Sequence, residues 1–242
     1  MFTDTDYDKL RQLMNQNPEN EALIQKLLTS HKEAISTISH EIRNPLTLVY
    51  STIQLIESQH PEVADFRHWD SLCEDVEYMK VLLEELSAYN NGSALSVSAF
   101  DFRTFMEHLV LSFASSCVDR NVEFTSRIEP NLPCIHADRI KLREVFLNLL
   151  RNASEAVGPE GVIRLEAYRQ NQNIIVVVED SGCGIPKEYL SDIFAPFVTH
   201  KQGGTGLGLS IVKRTIDAHH GQIDVWSEPG IGTKFTLGLP IQ

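Results

Sequence analysis

The sequence predicts two successive architectures: an α-helical hairpin that pairs with a second copy into a dimeric four-helix bundle, followed by an α+β two-layer sandwich. Heptad-spaced apolar residues run from Leu28 to Ile56 and again from Trp69 to Leu86. A polar, turn-rich break follows at Tyr89-Asn-Asn-Gly-Ser-Ala94. Beyond it, short strand-like runs alternate with helical ones, and the chain closes on two strands.

Asn17-Pro18 supplies a cap and a first-turn proline for a helix running through His40 to about Glu57. Leu28, Ile35, Ile42, Val49 and Ile56 recur every seven residues within it, and Ile38 and Ile53 widen the stripe. Pro45 removes one backbone hydrogen bond and is expected to bend the helix just after His40. After a turn at His60-Pro61, Trp69, Leu72, Val76, Met79, Leu83 and Leu86 form a second seam. Two such helices cannot bury both faces alone. They pack either on the rest of the chain or on a second copy, and the sustained heptad register favours the copy.

Past the break, helices are expected from Phe102 to Ser115, Ile140 to Val157 and Gly208 to Ala218. Strands are expected from Val122 to Ile128, Val162 to Tyr168, Ile174 to Glu179, Ile223 to Trp226 and Lys234 to Leu239. Two strands after the last helix favour a sheet covered by helices on one face. The expected division is an N-terminal helical linker at 1–30, the hairpin at 31–90 and the sandwich at 96–242.

With 33 acidic against 21 basic residues the net charge is -12. Such a chain lacks the broad basic footprint that nucleic acid or an anionic membrane requires, so no nucleic-acid partner is expected. No apolar run approaches the roughly 20 residues of a membrane span, and residues 1–20 are too acidic and polar for a signal peptide. Cys73, Cys117, Cys134 and Cys183 form no CxxC pair and have no metal-type spacing; they read as free thiols of a reducing cytoplasm.

His40 can be a core residue, a metal ligand, a reactive group or a surface residue without a role. With Ile35 and Ile42 at heptad position a, His40 takes f and points away from the packed face, which disfavours the core. A helical zinc site needs a second imidazole four residues on, and that position holds Asn44. On periodicity alone the idle surface histidine is the better reading, and only the rest of the chain favours a reactive one.

Asn148-Leu-Leu-Arg-Asn-Ala153 puts Asn148 and Asn152 on one helical face beside Arg151, where they offer oxygen to Mg²⁺ and donors to phosphates, or are simply structural amides. Asp180-Ser-Gly-Cys-Gly-Ile185 follows the apolar strand Ile174-Ile-Val-Val-Val178. A carboxylate there can accept from an exocyclic amine while glycines admit a flat ring, although a tight turn needs glycine as well. Gly203-Gly-Thr-Gly-Leu-Gly-Leu209 opens a helix whose N-terminal N–H groups can hold phosphate, and its spacing is neither the Rossmann nor the Walker pattern.

In order and spacing, from about residue 30 to the C-terminus, these segments resemble the sensor histidine kinases of two-component systems. Ser39-His-Glu-Ile-Arg-Asn-Pro-Leu-Thr47 looks like their H box and Asn148 to Ala153 like their N box. Asp180 to Gly184 and Gly204 to Leu209 look like the two G boxes, Ile193-Phe-Ala-Pro-Phe197 like the F box, and Gly230-Ile-Gly-Thr233 like the final glycine motif. Arg151-Asn-Ala-Ser-Glu-Ala156 and the short lid between Phe197 and Gly203 are most similar to the nitrogen-regulation and sporulation kinases.

The resemblance implies a dimerisation and histidine phosphotransfer domain followed by a catalytic ATP-binding domain of the Bergerat type, with ATP and Mg²⁺ bound. Asp180 would hold the adenine amine, helped by Thr233 and a water, in a pocket shaped by Gly182 and Gly184. Asn148 would ligate Mg²⁺, Asn152 would lie near the phosphates, and the backbone of Gly204, Thr205, Gly206, Leu207 and Gly208 would cap the nucleotide. Lys201 would contact phosphate, and Arg151 would stand in for the basic residue that many members carry where this chain has Glu155. Val198 and His200 depart from the usual lid. His40 would take the γ-phosphoryl group on Nε2 while Glu41 holds Nδ1–H, and Asn44 would orient water in a phosphatase reaction. The implied partners are a second copy and a response-regulator receiver domain; residues 1–30 are few for a sensor, so either an upstream sensor is missing from this chain or a sensor or inhibitor protein supplies the input. Two other classes compete: an ATPase or chaperone-like module with Glu144 activating water, and a catalytically quiet scaffold docking a regulator.

Overall fold

The computed structural model describes residues 18–91, 95–117, 121–201 and 204–241; Asn17, Gly92 to Ala94 and Gly203 lie outside them. The chain divides into two compact units, Met1–Asn90 and Asn91–Gln242.

In the first unit, helix α1 (Pro18–Gln59) runs through Pro45 without interruption, a 3₁₀ turn spans Pro61–Asp65, and α2 spans Trp69–Asn91. Val63 is buried in the turn, and the Trp69 indole donates to the Glu57 carboxylate at 3.0 Å, tying the end of α1 to the start of α2. Ser39, Ile53, Val76 and Leu83 are buried, with Leu46, Tyr50, Cys73, Lys80 and Ser87 half-buried between them. The apolar stripes are wider than one neighbour needs. Ile38, Ile42, Val49, Leu72 and Met79 remain exposed, so the second seam, expected to be one continuous stripe, is split between an inner and an outer face. The Leu28 side chain lies outside the described residues.

The second unit opens with β1 (Ser98–Asp101), α3 (Phe102–Cys117), β2 (Asn121–Ile128) and β3 (Cys134–Ala137). It continues with α4 (Arg139–Val157), β4 (Glu160–Gln170), β5 (Asn173–Asp180), α5 (Gly208–Ala218), β6 (Gln222–Glu228) and β7 (Gly232–Pro240). The main sheet has strand order β2-β4-β5-β7-β6, with β2 and β4 parallel and the other neighbours antiparallel. β1 and β3 form a separate antiparallel pair, an addition to the expected elements. Strand alternation sends Ile163, Leu165 and Ala167 of β4, Ile174, Val176 and Val178 of β5, and Phe235, Leu237 and Leu239 of β7 into one core. Across it Phe102, Phe105 and Phe146 pack with ring centroids 5.7 to 6.3 Å apart, joining α3 to α4. Each such buried side chain contributes about 1.5–3 kcal/mol. The sheet is thus covered by helices on one face, as expected.

The start of α4 is fixed from two sides. Asp138 accepts the N–H groups of Ile140 and Lys141, both at 3.1 Å, as N-cap, and that of Ser96 at 2.8 Å. Its own N–H donates at 2.9 Å to Nε2 of the buried His219, whose Nδ1–H donates to the Thr215 carbonyl at 2.8 Å. Burial pushes the Asp138 carboxyl up, but the three N–H donors and the Lys141 charge outweigh it and hold it below the usual carboxylate range. Burial pushes the His219 imidazole down, against its Thr215 bond.

Candidate functional site

The inward alternation of β5 ends at Asp180, whose place in the series 174, 176, 178, 180 turns its side chain to the helical side of the sheet. Thr233 lies opposite it on β7, and Ser227 lies opposite Thr233 on β6. All three are buried, so a row of polar side chains ends an otherwise apolar layer. Gly182 N–H donates to Asp180 Oδ1 at 2.8 Å. Burial pushes the Asp180 carboxyl above the ordinary range, against the N–H groups of Gly182 and Thr233 and the charge of Lys201. A buried acceptor of this kind suits a neutral donor such as a ring amine.

Ser227 completes the row and has no counterpart among the sequence-derived candidates. Its hydroxyl accepts from Ile185 N–H at 2.8 Å, donates to the Gly232 carbonyl at 2.9 Å and lies 3.0 Å from Thr233 Oγ1. With its single proton committed to Gly232, the third contact is a bond donated by Thr233, whose lone pairs then remain for an incoming donor. The strand alternation 223, 225, 227 was the signal that could have found it.

The loop after β5 is pressed against its neighbours by glycines. A Cβ on Gly182 would lie 2.5 Å from the Ala156 carbonyl carbon of α4, and Cys183 N–H donates to the Ala156 carbonyl at 3.1 Å. A Cβ on Gly184 (φ +69°) would collide with the Glu228 carbonyl oxygen, and one on Gly232 (φ +140°) with that of Asp180. These contacts bring the Asp180 loop, the last turn of α4 and the β6–β7 turn together.

On α4, Asn148 and Asn152 are half-buried and share a face with Glu144, while Arg151 is exposed. Among the described residues no cluster of three or more His, Cys, Asp or Glu could cage a metal. The donor set would suit Mg²⁺ only if water and a ligand's phosphates supplied most of its ligands, the Asn148 amide oxygen being the hard protein donor available.

The lid segment leaves the fold at Phe197 (φ +63°), whose N–H donates to the Gly206 carbonyl at 3.0 Å. Gly206 (φ +71°) lies so close to Phe197 and Val198 that a Cβ would sit 2.7 Å from either backbone. His200 stacks on Tyr189 at 3.5 Å, and Lys201 reaches α4, donating to Glu155 at 2.8 Å and to Asn152 at 3.5 Å. The Thr205 hydroxyl accepts from Leu207 N–H at 3.2 Å. α5 starts at Gly208 with no side-chain cap, so its first N–H groups are open to an anion, and Gly208 faces open space.

In the first unit His40 is exposed, with Asn44 one turn along the helix and exposed too. The partner of its Nδ1 is Arg43 Nη1 at 3.1 Å rather than Glu41, and Arg43 Nη2 donates to Ser87 Oγ of α2 at 2.6 Å.

Residues 30–92 match the His Kinase A (phospho-acceptor) domain, and residues 137–242 match the histidine kinase-, DNA gyrase B-, and HSP90-like ATPase family. The chain is 32% identical over 210 residues to the signal transduction histidine-protein kinase AtoS of Escherichia coli (strain K12), covering 86% of this chain and 34% of that protein. It is 32% identical over 221 residues to the sensory histidine kinase/phosphatase NtrB of Azospirillum brasilense, covering 85% of this chain and 54% of that protein. The crystal structure of the histidine kinase ThkA in complex with the response regulator protein TrrA superposes with a TM-score of 0.65 at 26% identity, over 96% of this chain and 67% of that one. The chain thus spans about a third to a half of the length of these curated relatives.

Proposed function

The chain belongs to the sensor histidine kinases of two-component systems, and from that premise we propose that it transfers the γ-phosphoryl group of ATP to His40 and then to an aspartate of a response regulator. The observation that carries this is the pairing of an exposed H-box histidine on a helical hairpin with a buried carboxylate, Asp180, ringed by glycines in a second unit. Asp180 and the acceptor side of Thr233 suit an adenine amine, and the uncapped start of α5, Lys201, Asn152 and Arg151 suit phosphates. Mg²⁺ entering with ATP would neutralise phosphate charge, and Asn148 would hold it.

In the reaction the Nε2 lone pair of His40 forms the N–P bond as the bond from the γ-phosphorus to the bridging oxygen breaks, and ADP leaves with that electron pair. The proton on Nδ1 passes to Glu41. Transfer to a receiver aspartate breaks the N–P bond as the Glu41 proton returns to the ring, which regenerates the imidazole, and Asn44, one turn on, orients the water that hydrolyses the aspartyl phosphate. The three-part division into linker, phosphotransfer hairpin and ATP-binding domain follows from this assignment. The exposed apolar face of Ile38, Ile42, Val49, Leu72 and Met79 supports a homodimeric bundle. The free thiols of Cys73, Cys134 and Cys183 support a cytoplasmic setting. No helix among the described residues is long and apolar enough to cross a membrane.

Incubation with γ-phosphate-labelled ATP and Mg²⁺ tests the proposal. An acid-labile, alkali-stable label that disappears in His40→Gln is expected. Sustained ATP hydrolysis without label would point instead to an ATPase with Glu144 as the water-activating base.

A further inference from the structure

A guanidinium can only donate, so its 3.1 Å contact with His40 requires the lone pair of Nδ1. A neutral imidazole bound in this way carries its proton on Nε2, the atom that must present a lone pair to phosphorus. Glu41 needs the opposite arrangement, because a carboxylate at Nδ1 accepts a proton there. Arg43 and Glu41 therefore compete for one nitrogen, and in this structure Arg43 holds it.

The hold is anchored outside α1. Nη2 of Arg43 donates to Ser87 Oγ at 2.6 Å, so one planar fork links the phosphoacceptor to α2, and both Arg43 and Ser87 are half-buried. Lysine, with a single nitrogen, cannot span the two partners in this geometry. Pro45 lies within the next turn and leaves the Glu41 carbonyl without a helical donor, which gives the backbone slack beside the competing residue.

Resting on the kinase reading above, we infer that Arg43 is a positioning residue that holds His40 in the non-nucleophilic Nε2–H tautomer, and that Ser87 keeps it there. Displacement of α2 against α1 at the level of Ser87 releases Arg43; the exposed ring then loses its Nε2 proton to water and gains one from water on Nδ1, where Glu41 accepts the Nδ1–H bond, and the Nε2 lone pair is freed. The hairpin thereby converts a helix movement into a proton position.

The test uses the full chain with ¹⁵N-labelled histidine, the His40 signals being assigned from among the nine histidines with His40→Gln. Long-range ¹H–¹⁵N spectra are recorded above the imidazole titration range for wild type, Ser87→Ala and Arg43→Lys. The Nε2–H pattern is expected in wild type, with Nδ1–H growing in both variants. Autophosphorylation kcat is expected to rise in both by about threefold to tenfold, the weight of one net hydrogen bond, with KM for ATP unchanged. An Nδ1–H pattern in wild type, or unchanged tautomers and rates in Ser87→Ala, overturns the inference. Absence of label on His40 in every variant overturns the kinase reading and the gate with it, whereas label with equal rates overturns the gate alone.

Discussion

Replacing Asp180 with Asn separates a carboxylate kept for a ligand from one kept for the fold. The amide retains an oxygen for the 2.8 Å bond from Gly182 N–H, so the loop keeps its anchor. Its nitrogen, turned to the pocket, meets an adenine amine donor to donor. A hydrogen bond to an ionised group is worth about 1.5–3 kcal/mol, which corresponds to a roughly 10- to 150-fold loss in nucleotide affinity. Stability should move the other way. Burial raises the Asp180 pKa, so the ionised form is disfavoured in the fold; that cost is present above the folded pKa and is relieved as pH falls through it. Asn carries no such cost, and the nucleotide-free variant should melt at or above the wild-type temperature at neutral pH. Affinity for an amine donor requires the carboxylate, so wild-type binding should weaken on acidification before an ordinary aspartate near 3.9 would titrate. The Asn variant should lack that step. Competition against a fluorescent ATP analogue gives the affinities, and thermal melts without nucleotide give the stabilities. Equal affinity in the two proteins, or a clear loss of stability without a loss of binding, would refute the reasoning.

His219 makes the second unit acid-sensitive: with its folded pKa lowered, its contribution is fully present above about 6.5 and is lost as pH falls through the folded value. Urea midpoints should drop over that window in wild type. His219→Ala, which orphans the Asp138 N–H at a cost of about 1–3 kcal/mol, should be less stable at pH 8 and lack the His219 part of the drop. Gly232→Ala drives a Cβ into the Asp180 carbonyl at φ +140° and should cost about 3 kcal/mol or more in urea unfolding. Gly208→Ala, facing open space at the start of α5, should change stability by under about 1 kcal/mol and leave ATP binding through backbone N–H groups intact. Ile42→Glu with Val49→Glu puts charge on the exposed face of α1 and should yield monomers by light scattering with the ATP-binding unit still folded; an unchanged mass would rule that face out as the dimer contact.

The limits of α5, Gly208–Ala218, coincide with the expected helix because a glycine-rich loop precedes it and His219-His-Gly221 stops it. The inner rows of β4 and β7 are legible from alternation, whereas β5 is an unbroken apolar run from Ile174 to Val178 whose two faces the sequence alone does not separate. β1 and β3 are not legible, since each has four residues, too few for a pattern, and their pairing joins segments far apart in sequence. What the second seam leaves unread in the sequence is how its residues divide between neighbours. Hydrophobicity counts apolar residues without saying how many neighbours share them, and the inner face of α2 carries Cys73, Lys80 and Ser87 between its apolar residues. The place of Arg43 within a turn of His40 was visible, but its bond to Ser87 depends on the hairpin register, which periodicity leaves open.

The two ends of the proposed nucleotide site are built by different physics, and this would set the order in which they act. At the Asp180 end, Gly182 presses on Ala156, Gly184 on Glu228 and Gly232 on Asp180 itself, backbone against backbone. Such contacts leave no slack, so the base pocket is ready before a ligand arrives. At the phosphate end, Lys201 is held by Glu155 in an ion pair with both side chains about half exposed, worth at most about 1 kcal/mol. A phosphate carrying more charge than one carboxylate displaces Glu155 at little cost, so Glu155 serves as a placeholder for the lid lysine. On this proposal base recognition would supply selection, and the lid would respond to what is attached to the base. Since salt screens the exposed phosphate contacts far more than the buried Asp180 bond, raising ionic strength should erode the preference for ATP over adenosine and leave adenosine binding nearly unchanged.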